Sequence, residues 1–194
     1  DALTDYKGAT LQYKDVARKI EKMHILLTQC GIKQGDKIAI CGRNSANWTA
    51  TFLGIITYGA VAVPILHEFK ADNIHNIVNH SEARLLVVGD QVWENLNEAN
   101  MPNLEGIIEL KDFDLVVSRS EQLTHVYEHL NEEFGHRYPY KFRASDVSYR
   151  REQPEELAII NYTSGTTGYS KGVMLSYRSV VSNIMDIRSK IELK

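Results

Sequence analysis

Cysteine is scarce in this sequence. Its two copies, Cys30 and Cys41, sit in apolar segments without Cys-x-x-Cys spacing. That excludes a disulfide scaffold and reads as two buried thiols in a reducing, cytoplasmic setting. Long apolar runs are missing as well. The longest apolar stretch, residues 52–66, is interrupted by Thr57, Gly59 and Pro64 and is too short to span a bilayer. Membrane contact is therefore expected to be peripheral at most. No signal peptide is read, although the chain opens on Asp1 without a methionine. Neither sign of charge dominates: the net charge is −3 and the pI is near 6.2. Nucleic acid and anionic surfaces are accordingly not expected as partners. Internal repeats and low-complexity tracts are absent too. At 194 residues the chain suffices for one well-buried domain or for part of a larger one.

What is present is an alternation of apolar strand runs with amphipathic helices. From Tyr13 to Cys30, apolar residues recur at helical spacing and the run stops at Gly31, a natural left-handed cap. Strands are predicted at 37–41, 60–64, 85–88 and 107–110. Between them helices are predicted at 44–58 (capped by Asn44 or Ser45 and ended by Gly59), 71–80 and 91–98. A further helix is read over 121–134, an irregular connection over 135–154, two strands around 157–160 and 173–175, and a helix over 177–193 with Ser176 as its N-cap. Such alternation predicts an α/β fold with a parallel-rich sheet and helices on both faces.

The stretch with chemistry in it is Asn161-Tyr162-Thr163-Ser164-Gly165-Thr166-Thr167-Gly168-Tyr169-Ser170-Lys171-Gly172. Glycines let the backbone bend and approach a ligand, the hydroxyls of Ser164, Thr166 and Thr167 can donate hydrogen bonds, and Lys171 adds a positive charge. That inventory suits a polyphosphate. A Walker loop is excluded by spacing: Lys171 follows Gly168 by three positions, is itself followed by Gly172, and leads into a strand rather than a helix. A plain Gly/Thr/Ser hairpin turn is the structural alternative, but hairpins prefer two to five loop residues and need no lysine.

Residues Tyr162 to Gly172 resemble the signature loop of the adenylate-forming enzymes, which include acyl-CoA synthetases, luciferases and peptide-synthetase adenylation domains. The family pattern is Tyr-Thr-Ser-Gly-Thr/Ser-Thr-Gly-x-Pro-Lys-Gly, and the one departure is Ser170 in place of proline. Leu11-Gln12-Tyr13-Lys14-Asp15-Val16 is similar to the family's early helix start, with Gln12 and Asp15 as departures. The segment Trp48 to Leu66 is similar to its helix-then-strand motif closing in Pro64. Thr166 stands where peptide-synthetase domains usually carry serine, and the segments Glu155 to Ala158 and Met174 to Ser176 read most like long-chain acyl-CoA synthetases.

The resemblance implies ATP-dependent activation of a fatty acid or other carboxylic acid to an acyl-adenylate, with pyrophosphate released, followed by transfer to coenzyme A. It implies that Thr163, Ser164, Gly165, Thr166, Thr167, Gly168, Lys171 and Gly172 hold the β and γ phosphates, with Lys171 as the catalytic cation. It also implies that the main Mg2+ ligand, the ribose aspartate and a C-terminal-domain lysine belong to later motifs. On this reading residues 1–194 are the N-terminal portion of an AMP-binding domain, truncated after the phosphate loop, and inactive alone.

Two alternatives remain beside it. One is a non-catalytic module that retains the fold and has lost the chemistry. The other is a zinc hydrolase, since His125-Val126-Tyr127-Glu128-His129 matches the His-x-x-Glu-His pattern. On a continuous helix, however, the apolar residues cluster on one side while His125 and His129 point to solvent, and no third protein ligand is evident. His75 and His80 are read as surface histidines, and Tyr138, Tyr140 and Tyr149 as packing residues with a polar tip.

Overall fold

The computed structural model describes residues 1–6, 8–149, 153–163 and 171–191. A small antiparallel hairpin, β1 (Leu3–Thr4) and β2 (Thr10–Leu11), precedes helix α1 (Tyr13–Gln29). The chain then alternates through β3 (Lys37–Cys41), α2 (Ala46–Tyr58), β4 (Val61–Ile65), α3 (Ala71–His80), β5 (Ala83–Val88), α4 (Asp90–Trp93) and β6 (Gly106–Glu109). Strand β7 (Leu115–Ser118), helices α5 (Glu121–Glu128) and α6 (Leu130–Arg137), strands β8 (Leu157–Thr163) and β9 (Lys171–Ser176), and helix α7 (Tyr177–Lys190) complete it.

Seven strands form one sheet in the order β7-β6-β5-β3-β4-β8-β9. The five inner strands are parallel, and β7 and β9 lie antiparallel at the two edges. The α/β, parallel-rich expectation therefore holds. Side chains alternate across the sheet. Ile38, Ile40, Leu85 and Val87 face α1, α2 and α5, where Leu27, Ile55 and Leu123 cover them. Ala39, Cys41, Leu86 and Val88 face α3, whose Ile74, Ile77 and Val78 cover the other side. Both cysteines are buried free thiols, and burial pushes Cys30 up to about 11 and Cys41 up to about 12. Among the described residues no helix is long and apolar enough to cross a membrane.

Local chemistry sets the element ends. The Gln12 amide donates to Asp15 Oδ2 at 3.0 Å, so the two departures noted at this helix start still close a cap. Ser45, not Asn44, caps α2, its Oγ accepting from the Trp48 amide at 3.0 Å. Gly59 ends that helix at φ 94°, a conformation that disfavours any side chain.

Three expectations are corrected. The helix read over 91–98 is only the short α4, followed by a 3-10 turn at Glu98–Asn100. The helix read over 121–134 is two helices broken at His129, whose φ of −100° and ψ of 6° leave the helical region. The break lets both pieces stay beside α1, where Asn131 Oδ1 accepts from Lys22 and Glu133 Oε2 accepts from Gln29. Residues 130–137, partly assigned to an irregular connection, belong to that second helix.

Candidate functional site

The signature stretch lies on the β8–β9 hairpin at one edge of the sheet. Residues Ala158, Ile160 and Tyr162 point inward toward the α3 face, while Asn161 and Thr163 are exposed. The hairpin register pairs Thr163 with Lys171 and Tyr162 with Gly172. Cross-strand partners share a face of the sheet, so the Thr163 hydroxyl and the Lys171 ammonium stand side by side, both exposed. Among the described residues Lys171 has no ion pair. The expected phosphate-binding residues Ser164, Gly165, Thr166, Thr167 and Gly168 lie outside the described residues, as do Tyr169 and Ser170. Thr163, Lys171 and Gly172 are thus the expected site residues whose positions are described, one at the outgoing and two at the returning foot of the loop. A hydroxyl donor beside an unpaired ammonium is a fit for phosphate oxygens.

Tyr162 fixes the outgoing foot. It is 5% exposed, its hydroxyl lies 2.7 Å from His80 Nδ1, and the two rings meet edge to face at 89° with centroids 5.8 Å apart. Burial raises the Tyr162 phenol above its usual range, which keeps it a neutral hydrogen-bonding group. Gly172 lies opposite it, and a Cβ there would stand 3.2 Å from the ring's Cζ and 3.0 Å from Ile160 Cγ2, so the ring or Ile160 would have to give by a few tenths of an ångström. The glycine leaves room for a ring at this position. His80 was read as a surface histidine; its side chain is exposed but bound to the signature stretch.

A cleft of about 950 Å³ opens at the carboxyl ends of β3, β4, β5 and β6, the same edge from which parallel β8 delivers Thr163. Arg43 follows β3, His67 and Lys70 follow β4, Asp90 follows β5 and Lys111 follows β6. Asn47 secures one wall by donating to the carbonyls of Leu110 and Lys111 at 3.0 and 2.7 Å. The chain leaves β3 toward β4 but leaves β5 toward β6 on the opposite side. A reversal of this kind makes the crevice where open α/β sheets bind ligands. Sequence reading missed these residues, which come from segments after four different strands.

The other candidates resolve differently. His125 is exposed on α5, while His129 sits in the break after it, with its Nδ1 2.8 Å from the His125 carbonyl and the two rings 4.3 Å apart. The motif therefore does not lie on one continuous helix. Glu109, Asp112 and Asp114 are the one trio among the described residues whose ligand atoms come close enough to share a cation, and Asp114 already accepts from Tyr127. His75 is not a surface histidine. It is 6% exposed, its Nε2 accepts from the Asn97 amide at 3.1 Å, and burial lowers its basicity below the ordinary 6.5. Tyr138 packs as expected and donates to buried Glu21 at 2.6 Å, whereas Tyr140 is exposed.

Comparison with known proteins places these observations in one family. The family model described as "AMP-binding enzyme" matches residues 1–193. Long-chain-fatty-acid–CoA ligase 5 of Rattus norvegicus is 29% identical over 189 residues, covering 90% of this chain and 26% of its own length. The 4-coumarate–CoA ligase-like 9 of Oryza sativa subsp. japonica is 29% identical over 177 residues, covering 91% of this chain and 29% of its own. The crystal structure of a long-chain-fatty-acid-CoA ligase from Archaeoglobus fulgidus superposes with a TM-score of 0.69 at 20% identity, over 99% of this chain and 35% of that one; it shows the shared fold. The chain spans between about a quarter and a third of the length of these relatives.

Proposed function

Because the chain belongs to the AMP-binding enzyme family, we propose that the protein carrying it is an adenylate-forming ligase that activates a fatty acid and passes the acyl group to coenzyme A. The observation that carries the reading is the hairpin: Thr163 and Lys171 paired and exposed at the two feet of the loop, at the ligand-binding edge of the sheet. The acid's carboxylate oxygen attacks the α-phosphorus of ATP, a new P–O bond forms, and the bond to the β-phosphate oxygen breaks, releasing pyrophosphate. Charge builds on the departing pyrophosphate, and that is where Lys171, Thr163 and the donors of Ser164 to Gly168 act. Chemistry of this kind needs positioning and charge neutralisation more than covalent help. Mg2+, when bound, would neutralise the same phosphates, and its main protein ligand is placed outside this chain.

Fatty acid, rather than aromatic acid, is the finer part of the proposal. It rests on the segments flanking the loop and on the rat ligase among the relatives; the rice 4-coumarate ligase-like protein marks the competing class. The same proposal takes residues 1–194 as the N-terminal portion of a longer domain, in line with the share of each relative that is matched, and places it in the cytoplasm. The exposed apolar side chains of β9 and α7, among them Met174, Val181, Ile184 and Met185, would then pack against the remainder of that domain.

The test is exchange of labelled pyrophosphate into ATP by the full-length protein, offered fatty acids of short, medium and long chain alongside 4-coumarate. Exchange with a fatty acid is expected. Exchange with the aromatic acid alone would overturn the substrate class, and a folded preparation with no exchange would leave a non-catalytic module.

A further inference from the structure

We propose that His80 is a positioning residue for the phosphate-binding loop, acting through Tyr162; this rests on the ligase reading above. Tyr162 is the last buried residue before the loop. One ring touches both of the loop's feet: its hydroxyl is held by His80 at 2.7 Å, and its edge lies against Gly172, where even a methyl group would come within 3.2 Å. Tyr162 directly precedes Thr163, the outgoing foot, and its partner Gly172 belongs to the returning foot. Moving this ring therefore moves both ends of the loop.

Strand β8 is packed against the body of the sheet through Ile160, buried on the α3 face. Among the described residues its registered pair with β4, Ala62 with Ile159, lies three residues before Tyr162, so beyond Ile160 the Tyr162 ring is the buried contact next to the loop. His80 can serve as an anchor because it is the last residue of α3, and that helix is fixed by Ile74, Ile77 and Val78, each 1% exposed. The His80 side chain is itself exposed, so filling the core does not account for it. What it does is transmit the rigidity of α3 to the loop's feet. A displacement of about 1 Å at a group that must meet developing charge can cost about 100-fold in rate, so a single hydrogen bond at this point can affect the chemistry.

The experiment uses the full-length protein and two readouts. In pyrophosphate exchange, His80→Ala and Tyr162→Phe are each expected to lower the maximal rate by about 10-fold while leaving the KM for the acid unchanged. The double variant should fall no further than either single one, because the two residues act as one unit. His80→Asn, which returns a polar atom near the position of Nδ1, should recover most of the rate. In hydrogen exchange, peptides covering residues 161–173 should lose protection in His80→Ala and Tyr162→Phe while those covering β3 and β5 keep it. Wild-type exchange rates in His80→Ala, additive losses in the double variant, or a matching rise in acid KM would overturn the proposal. If the wild-type protein shows no pyrophosphate exchange, the ligase reading fails. The hydrogen-exchange arm then decides separately, since unchanged protection at residues 161–173 would show that His80 does not hold the hairpin.

Discussion

In β3, at the centre of the sheet, the side chains of Ile38, Ala39, Ile40 and Cys41 are fully buried. In β9, at the sheet's edge, Val173 is 47% and Met174 72% exposed, and α7 behind it has no buried residue. The difference separates two tasks. The parallel strands from β6 through β4 are covered by helices on both faces and hold themselves together. The β8–β9 hairpin joins that body at one edge through the Ala62–Ile159 ladder pair, the inward side chains of Ile160 and Tyr162 and the Tyr162 bond to His80, while Tyr177 of α7 behind it donates to the Ile56 carbonyl at 2.6 Å. Stability is concentrated in the first region, and the proposed chemistry is carried by the second. Loops and edges on a rigid scaffold are where binding groups are commonly placed.

Truncation in each region should show this difference most strongly. Ile38→Ala empties a fully buried site between α1 and the sheet and is expected to destabilise the chain by about 2 to 5 kcal/mol. In residues 1–194 by themselves, where the Ile184 face of α7 is exposed, Ile184→Ala should change stability by less than about 0.5 kcal/mol. Chemical denaturation of both variants checks this, and equal losses would erase the distinction.

Next in size is Lys171→Met, which keeps the stem and removes the charge. Adenylation by the full-length protein should slow by about 10 to 1000-fold, or about 1.4 to 4 kcal/mol, with a larger effect on rate than on ATP affinity and with unfolding unchanged. A variant that adenylates at the wild-type rate would make Lys171 a solvated turn residue.

A smaller effect concerns two histidines of the body, buried His75 and half-buried His24. Burial lowers the basicity of His75 and of His24, so in the fold both stay neutral at a pH where the unfolded chain already binds protons. The unfolded state then holds more protons, and stability rises with pH in that window. It should be fully present above about pH 6.5 and decline as the pH falls from there toward the lowered folded values. Melting curves at about pH 7.5 and 5.5 should differ, and His75→Gln should narrow the difference. A pH-independent melt in that range would contradict the assignment.

The smallest expected effect is at the His-x-x-Glu-His segment. Replacing His125 and His129 together by alanine should alter stability by less than about 0.5 kcal/mol and should not change the metal content of purified protein. One equivalent of zinc that disappears in the double variant would revive the hydrolase alternative.

Features fixed by near neighbours were legible in the sequence. Ser45 and Gly59 bound α2, and Gly31 follows α1 at φ 69°, because a cap is a matter of residues within one turn. Strand β7 was missed: it is an edge strand whose residues are at most half-buried, so it lacks the continuous apolar run that marked the inner strands. The break at His129 was invisible because Leu123, Val126, Tyr127, Leu130 and Phe134 keep helical spacing through it; what bends the chain is the need of both pieces to follow α1. His75 looked like a surface residue because its partner, Asn97, is 22 residues away. The proposed phosphate loop announced itself as a motif, yet His80, its proposed anchor, lies 82 residues earlier than Tyr162, and the cleft draws on segments after four different strands. Neither has a local pattern to read.

The central claim is that the protein carrying this hairpin cleaves ATP between the α and β phosphates. Full-length protein incubated with ATP and a long-chain fatty acid, without coenzyme A, and stopped by rapid quench should yield acyl-adenylate and pyrophosphate in equal amounts. Formation of ADP and inorganic phosphate, or no acid-dependent product from folded protein, would contradict it.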